Sequence, residues 1–194
     1  MNMQVGVLAL QGAFAAHSEC LTSIGVQSVE VRTPEQLNSV DALLMPGGES
    51  STMSQLLESS GLFDPISTRI ADGMPVFGTC AGMILLASEI LDGRSDQRSF
   101  SAIDISVRRN AFGRQVDSFE STINSPVGDF HGVFIRAPRI ERIGKEVEVL
   151  GSINNEPVLV RQGNVLAASF HPELSNDARL HEYFVSITAN RKKV

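Results

Sequence analysis

Along the first half of the chain, apolar residues gather in short, nearly continuous runs, and each run is followed by a stretch with helical rather than alternating spacing. Val5 to Leu10 is the first such run, closed by Gln11-Gly12, and Ala13 to Ile24 is the helical stretch behind it, ending at Gly25. Val26 to Val31 predicts a second strand, after which Thr33 can cap a short helix with Pro34 at its first position. A third strand, Asp41 to Met45, stops at Pro46-Gly47-Gly48; Ser50 and Ser51 can cap the helix that follows, and Gly61 ends it. The amphipathic stretch Asp64 to Ala71 leads to Gly73-Met74-Pro75, a fourth strand spans Val76 to Thr79, and an apolar helix is expected from Ala81 to Leu91.

Strands buried on both faces read as apolar runs, so this alternation predicts an α/β fold with parallel strands, whose ligands sit at the carboxyl ends. After Asp92 the character changes to extended segments with turns between them: Ile103 to Arg108, Val116 to Ile123, Val133 to Arg136, Val147 to Gly151, Pro157 to Val160 and Val165 to Phe170. A closing helix is expected from about Asn176 to Asn190, with Arg191, Lys192 and Lys193 suited to the negative end of its dipole. No repeat or linker interrupts the pattern, and one domain over 1–194 is expected.

The 194 residues are 42% hydrophobic and 20% charged, with a mean hydropathy of +0.04, which excludes a disordered or low-complexity chain and allows a sizeable core. A net charge of −6 would repel a phosphate backbone, so nucleic acid is not an expected partner. The longest apolar stretches, such as Gly82 to Ala87, fall far short of the roughly 20 residues of a membrane span. Two cysteines make no disulfide framework, and the start of the chain lacks the basic stretch and long apolar core of a signal peptide. The expected setting is cytoplasmic.

The strongest local signal is Gly78-Thr79-Cys80-Ala81-Gly82, a G-x-C-x-G sequence between a strand and a helix. It has the form of a nucleophile elbow, in which small flanking residues permit a crowded turn and the following backbone N–H faces an oxyanion. A helix N-terminus there favours the thiolate, the attacking species. The alternative is a buried cysteine beside a tightly packed glycine turn. A thiolate needs a base, and of His17, His131, His171 and His181 only His171 directly follows an apolar strand, with Glu173 close enough to orient its ring. His171-Pro172-Glu173 can equally be a polar turn before the last helix. His17, with Glu19 and Cys20, and His181, with Glu182, are expected on solvated helix faces, and Cys20 in packing. No metal-ligand spacing is present, so no metal site is expected.

Pro46-Gly47-Gly48-Glu49-Ser50-Ser51 follows a strand where backbone N–H groups can grip an anion; it lacks the lysine of a P-loop, and it can equally be a serine-capped turn. Arg108, Arg109, Arg114 and Arg136 supply cations that suit the carboxylate of an amino acid if they face Cys80, or a solvated face if they do not.

Taken together these motifs resemble the class I, triad-type glutamine amidotransferases, which carry G-x-C-x-G and a later H-P-E. Within them, "GVLALQGAFAAH", "PGGESSTM", "FGTCAGMILLA", "RRNAFGRQVDSFE", "FIRAP" and "FHPEL" resemble the glutaminase subunits of pyridoxal 5′-phosphate synthase, over Gly6 to Leu174. The resemblance implies a three-layer, flavodoxin-like fold with a mixed, mainly parallel central sheet. It implies Cys80 as nucleophile, His171 as acid/base and Glu173 as its orienting partner, with oxyanion donors at Ala81 and Gly48, the latter after a flip of the Gly47-Gly48 peptide. Glutamine contacts are implied for Gly48, Glu49, Ser50, Arg109, Ile135 and Arg136, and Gln11 is implied to lie near the TIM-barrel synthase subunit. The implied reaction is hydrolysis of L-glutamine to glutamate and ammonia, with no cofactor. The segment Leu91 to Ala102 departs from the family's usual sequence. Rival readings are a glutaminase serving another synthase, such as that of imidazole glycerol phosphate, and a catalytically silent binding module.

Overall fold

Strand and helix alternate as expected through the first 80 residues. The computed structural model describes residues 3–109, 118–125 and 128–191. β1 (Gln4–Leu8) leads through the Gln11-Gly12 turn to α1 (Phe14–Ser23), β2 (Gln27–Val31) to α2 (Pro34–Asn38), and β3 (Ala42–Met45) to α3 (Ser50–Ser59) and α4 (Phe63–Ala71). β4 (Val76–Thr79) runs into α5 (Ala81–Leu86). The short α2 starts on a reciprocal cap: the Gln36 N–H donates to Thr33 Oγ1, and the Gln36 side-chain oxygen accepts from the Thr33 N–H at 3.1 Å.

The second half begins where expectation and structure part. The helix expected from Ala81 to Leu91 stops at Leu86, because Ala87 adopts φ −60°, ψ 149° and the chain continues as β5 (Ala87–Ile90). β5 pairs in parallel with β6 (Ile103–Arg108), and β6 pairs antiparallel with β9 (Arg139–Ile143), a strand the sequence reading missed. A short apolar run has no periodicity that separates helix from strand, and β9 alternates around arginines rather than forming an apolar run. β7 (Ser118–Ile123) and β8 (Phe130–Ile135) form a separate antiparallel hairpin. Val116, where β7 was expected to start, lies outside the described residues, as do Asn110, Arg114, Gln115, Lys192 and Lys193.

β10 (Glu148–Ile153), β11 (Glu156–Gln162) and β12 (Val165–Ala168) return to the main sheet, whose order is β10-β11-β12-β4-β3-β1-β2. The five strands from β12 to β2 are parallel, and β10 and β11 are antiparallel additions. Successive side chains of β3 point to opposite faces. Leu43 and Met45 therefore pack with Met53 and Leu57 of α3 and Ile66 of α4. Ala42 and Leu44 pack in a second cluster with Leu21 of α1 and with Leu180 and Phe184 of α6 (Arg179–Arg191). Helices thus cover both faces of a mixed, mainly parallel sheet, the three-layer class the sequence predicted. α6 starts three residues later than expected, after a 3-10 turn at Pro172–Leu174. Among the described residues no helix is long and apolar enough to cross a membrane.

Candidate active site

Four segments converge at the carboxyl ends of the parallel strands: Gln11-Gly12 after β1, Gly47 to Ser50 after β3, Cys80 after β4 and His171 after β12. Cys80 holds φ 48° and ψ −103°, a conformation that costs a non-glycine residue of order 1–3 kcal/mol. The Cys80 N–H donates to Ala168 O at 2.8 Å, so the elbow is tied to the strand that carries His171. The flanking glycines are needed for closeness: a Cβ on Gly78 would lie 2.6 Å from the Gly82 carbonyl carbon, and one on Gly82 would lie 2.2 Å from Met45 O. Cys80 is 6% exposed, and its Sγ stands 4.0 Å from Ile135 O. The Ala81 N–H opens α5 and has no intrahelical acceptor.

His171 is fixed by its backbone, whose N–H donates to Val133 O at 2.8 Å on the β7–β8 hairpin. Its Nδ1 lies 2.7 Å from Glu173 Oε1, and both residues are buried. Burial alone would lower the His171 pKa, but hydrogen bonds and charge from Cys80 and Glu173 override it and raise the value to about 10. Burial would likewise raise Glu173, but the hydrogen bond from His171 and the charge on that ring hold it below the usual carboxylate range. His171 and Glu173 therefore form a hydrogen-bonded pair beside Cys80, with the imidazole in its charged form at neutral pH. Gly47 makes room for that ring, since a Cβ there would sit 2.3 Å from His171 Cε1.

Cys80 and His171 open into a cavity of about 200 Å³ that is also lined by Gly48, Glu49, Ser50, Arg109, Ile135 and Arg136. All six residues expected to contact a substrate thus face the nucleophile. Arg109 Nη1 donates to Ser51 Oγ and, at 3.0 Å, to Gln97 Oε1, and it stands 3.7 Å from Glu49 Oε1. Gln97 belongs to the segment Leu91 to Ala102, so this segment braces the cavity's cation; its role had no local signal, because it depends on a contact with α3 (Ser51 Oγ to Gln97 Oε1, 3.2 Å). Arg136 is exposed and sits at φ 46°, just after β8.

The cap of α3 is Glu49 rather than Ser50 or Ser51: its carboxylate accepts from Ser51 N at 3.1 Å and Thr52 N at 2.7 Å. Burial would raise the Glu49 pKa, but the hydrogen bonds from Thr52 and Ser51 hold it below the usual range. Gly47 O accepts from Ala13 N at 3.3 Å, and the Gly48 N–H of the same peptide points the opposite way, away from α1. Gln11 Oε1 accepts from Glu49 N at 3.2 Å, so the two turns are hydrogen-bonded together.

The expectation that His17 and His181 lie on solvated faces is overturned: both are fully buried. His17 Nδ1 lies 2.9 Å from His181 Nε2, and His17 Nε2 lies 3.2 Å from both Thr79 Oγ1 and Glu173 Oε2. The signal was present in the spacing. His17 precedes buried Leu21 by four residues, and His181 shares a stripe with buried Phe184 and Thr188. Glu19 and Glu182, on the same helices, are exposed as expected, Cys20 is half-buried, and His131 pairs with Glu120 at 2.7 Å on the outside of the hairpin.

The profile of the SNO glutamine amidotransferase family matches residues 7–190. The chain is 54% identical to the pyridoxal 5′-phosphate synthase subunit PdxT of Salinispora tropica, covering 94% of this chain and 95% of the relative. It is also 54% identical to the PdxT of Corynebacterium jeikeium, over 97% and 98% of the two chains. Among solved structures, a crystal structure of a glutamine amidotransferase is 50% identical with a TM-score of 0.91, covering 95% of this chain and 98% of that one. Another, from Thermotoga maritima, shares the fold at a TM-score of 0.63 with 12% identity, over 99% and 86% of the chains.

Proposed function

The chain belongs to the SNO glutamine amidotransferase family, and on that premise we propose that it hydrolyses L-glutamine to L-glutamate and ammonia and delivers the ammonia to the TIM-barrel subunit of pyridoxal 5′-phosphate synthase. One observation carries this reading: a strained Cys80 and a buried His171, itself hydrogen-bonded to Glu173, open into the same cavity as Gly48 and Arg109. A cytoplasmic setting, in which Cys20 and Cys80 stay thiols, suits it.

In this mechanism the glutamine α-carboxylate pairs with Arg109 and Arg136, and Glu49 attracts the α-ammonium group, while Ser50 and Ile135 shape the pocket between them. The Cys80 thiolate attacks the side-chain amide carbon, and its electron pair forms the C–S bond as the carbonyl oxygen takes negative charge. The N–H groups of Ala81 and Gly48 hold that oxyanion. The His171 imidazolium gives its proton to the nitrogen, ammonia leaves, and a thioester remains. His171, now neutral, takes a proton from water, whose oxygen attacks the thioester; collapse releases glutamate and restores the thiolate–imidazolium pair. Glu173 stays ionised throughout and steadies the charged imidazole.

Gln11 is the surface contact to the synthase subunit in this reading. Its bond to Glu49 and the Ala13–Gly47 bond link that contact to the peptide whose N–H completes the oxyanion hole. Docking therefore has a short mechanical path to catalysis, and ammonia release is timed to the presence of its acceptor. A thiol-reactive glutamine analogue tests the site: the expected mass shift is confined to Cys80, is blocked by excess L-glutamine and is absent in Cys80→Ala. Labelling at Cys20 alone, or none at all, contradicts the proposal.

A further inference from the structure

The glutaminase mechanism leaves two buried imidazoles unused, and they stand directly behind the triad. Glu173 Oε1 serves His171, while Oε2 is buried without a hydrogen bond among the described residues, and His17 Nε2 stands 3.2 Å from it. Nε2 is equally 3.2 Å from Thr79 Oγ1, one residue before Cys80. His17 Nδ1 in turn faces His181 Nε2 at 2.9 Å, and His181 Nδ1 is buried with no partner.

One arrangement of protons on the two neutral rings leaves no N–H without an acceptor. If His17 carried its proton on Nδ1, a bare Nε2 lone pair would face the Glu173 carboxylate, and the His181 proton would sit on Nδ1 as a buried donor without an acceptor. With the protons on the two Nε2 atoms, His181 donates to His17 Nδ1, and His17 donates into the space shared by Glu173 Oε2 and Thr79 Oγ1. Among the described residues the lone pair on His181 Nδ1 is then left without a partner, a lesser cost than a buried N–H, and Glu173 Oε2 has the positive edge of the His17 ring beside it rather than a hydrogen bond. Burial keeps both rings neutral, with the His17 pKa pushed down to about 4 and that of His181 to about 3.

We propose that His17 is a positioning residue for the glutaminase site: its Nε2–H bonds to Thr79 on the elbow strand and sets the positive edge of the ring 3.2 Å from the second oxygen of Glu173, while His181 locks the tautomer that makes this possible. The inference rests on the glutaminase reading. It carries the arrangement of Cys80, His171 and Glu173 through the interior to α1 and α6, so the carboxylate that steadies the imidazolium has an imidazole on either side. Because both distal rings stay neutral, they fix orientation without competing for the charge on Glu173.

Two measurements test it, both on the full chain with its synthase subunit present for kinetics. In the wild type, imidazole ¹⁵N chemical shifts are expected to report a neutral His17 protonated at Nε2 and bare at Nδ1; protonation at Nδ1 overturns the proposal. His17→Leu, which keeps the bulk and loses the donor, is expected to lower kcat roughly 10- to 100-fold with little change in KM, and His17→Gln, which restores an N–H, is expected to recover most of that loss. A wild-type kcat in His17→Leu, or equal losses in both variants, overturns it. Should either variant fail to fold, the wild-type tautomer decides. A wild type with the Nε2–H tautomer and no turnover of glutamine would remove the glutaminase reading, and with it the positioning role of His17, while leaving the hydrogen bond to Thr79 in place.

Discussion

Glu173→Gln preserves shape at the centre of the site and removes one charge. In the wild type Oε1 lies 2.7 Å from His171 Nδ1 and is hydrogen-bonded to it, while Oε2 lies 3.2 Å from His17 Nε2 without a hydrogen bond. An amide offers one acceptor and one donor, so it can serve only one of these neighbours and must point its NH₂ at the other. A hydrogen bond to a charged group contributes about 1.5–3 kcal/mol. If the imidazolium loses that much stabilisation in the transition state, kcat/KM for glutamine falls roughly 10- to 150-fold. The same energy, at about 1.36 kcal/mol per pKa unit, lowers His171 from its value of about 10 by roughly one to two units. The sign follows from the proton that departing ammonia requires: with His171 losing it sooner, the alkaline limb of the kcat/KM profile moves toward lower pH by that amount. The assay is glutamate release across pH 6 to 10 by wild type and variant with the synthase subunit present. An unchanged rate with an unchanged alkaline limb would refute the role given to the His171–Glu173 pair.

Three further outcomes are expected. Gly82→Ala puts a Cβ 2.2 Å from Met45 O, a backbone clash between α5 and β3, so its Tm should drop by several degrees, and a wild-type melting curve would show that the elbow is not tightly packed. Arg109→Lys removes the fork that bridges Ser51 and Gln97, and should raise KM for glutamine by about tenfold with a smaller effect on kcat; Gln97→Ala should move KM in the same direction to a lesser extent, whereas an unchanged KM in both would detach Arg109 from the substrate. Lowering the pH from 8 to 5.5 should cost the wild type about 1.4 kcal/mol more stability than His181→Leu, measured by urea unfolding. The unfolded imidazole, with its usual pKa of 6.5, takes up a proton that the folded ring, at about 3, refuses; equal losses would mean that His181 is not held neutral.

What could be read from the sequence is what local chemistry encodes. Gly78 and Gly82 around Cys80, the Pro46-Gly47-Gly48 stop and the step from Phe170 to His171 each belong to a strand end, and the structure keeps them there. The parallel strands were legible because burial on both faces leaves no alternation. β5 was not, since Ala87 to Ile90 extends an apolar helix smoothly on paper and becomes a strand only by pairing with β6, more than a dozen residues on. Polar burial was the larger miss. His17 and His181 are 164 residues apart, and although each shares a helical stripe with buried residues, nothing local shows that the two rings and Glu173 meet. Glu49 was assigned only to substrate, yet its carboxylate also caps α3, displacing the serines that composition favoured for that role.

The central claim is that Cys80 chemistry turns glutamine into ammonia for a partner. The most direct measurement is glutamate release from L-glutamine by the purified chain, alone and with the pyridoxal 5′-phosphate synthase subunit of the same organism, alongside Cys80→Ala. Turnover is expected to rise strongly when the partner is added and to vanish in Cys80→Ala. Turnover that persists in Cys80→Ala, or no turnover by the wild type in either mixture, would contradict it.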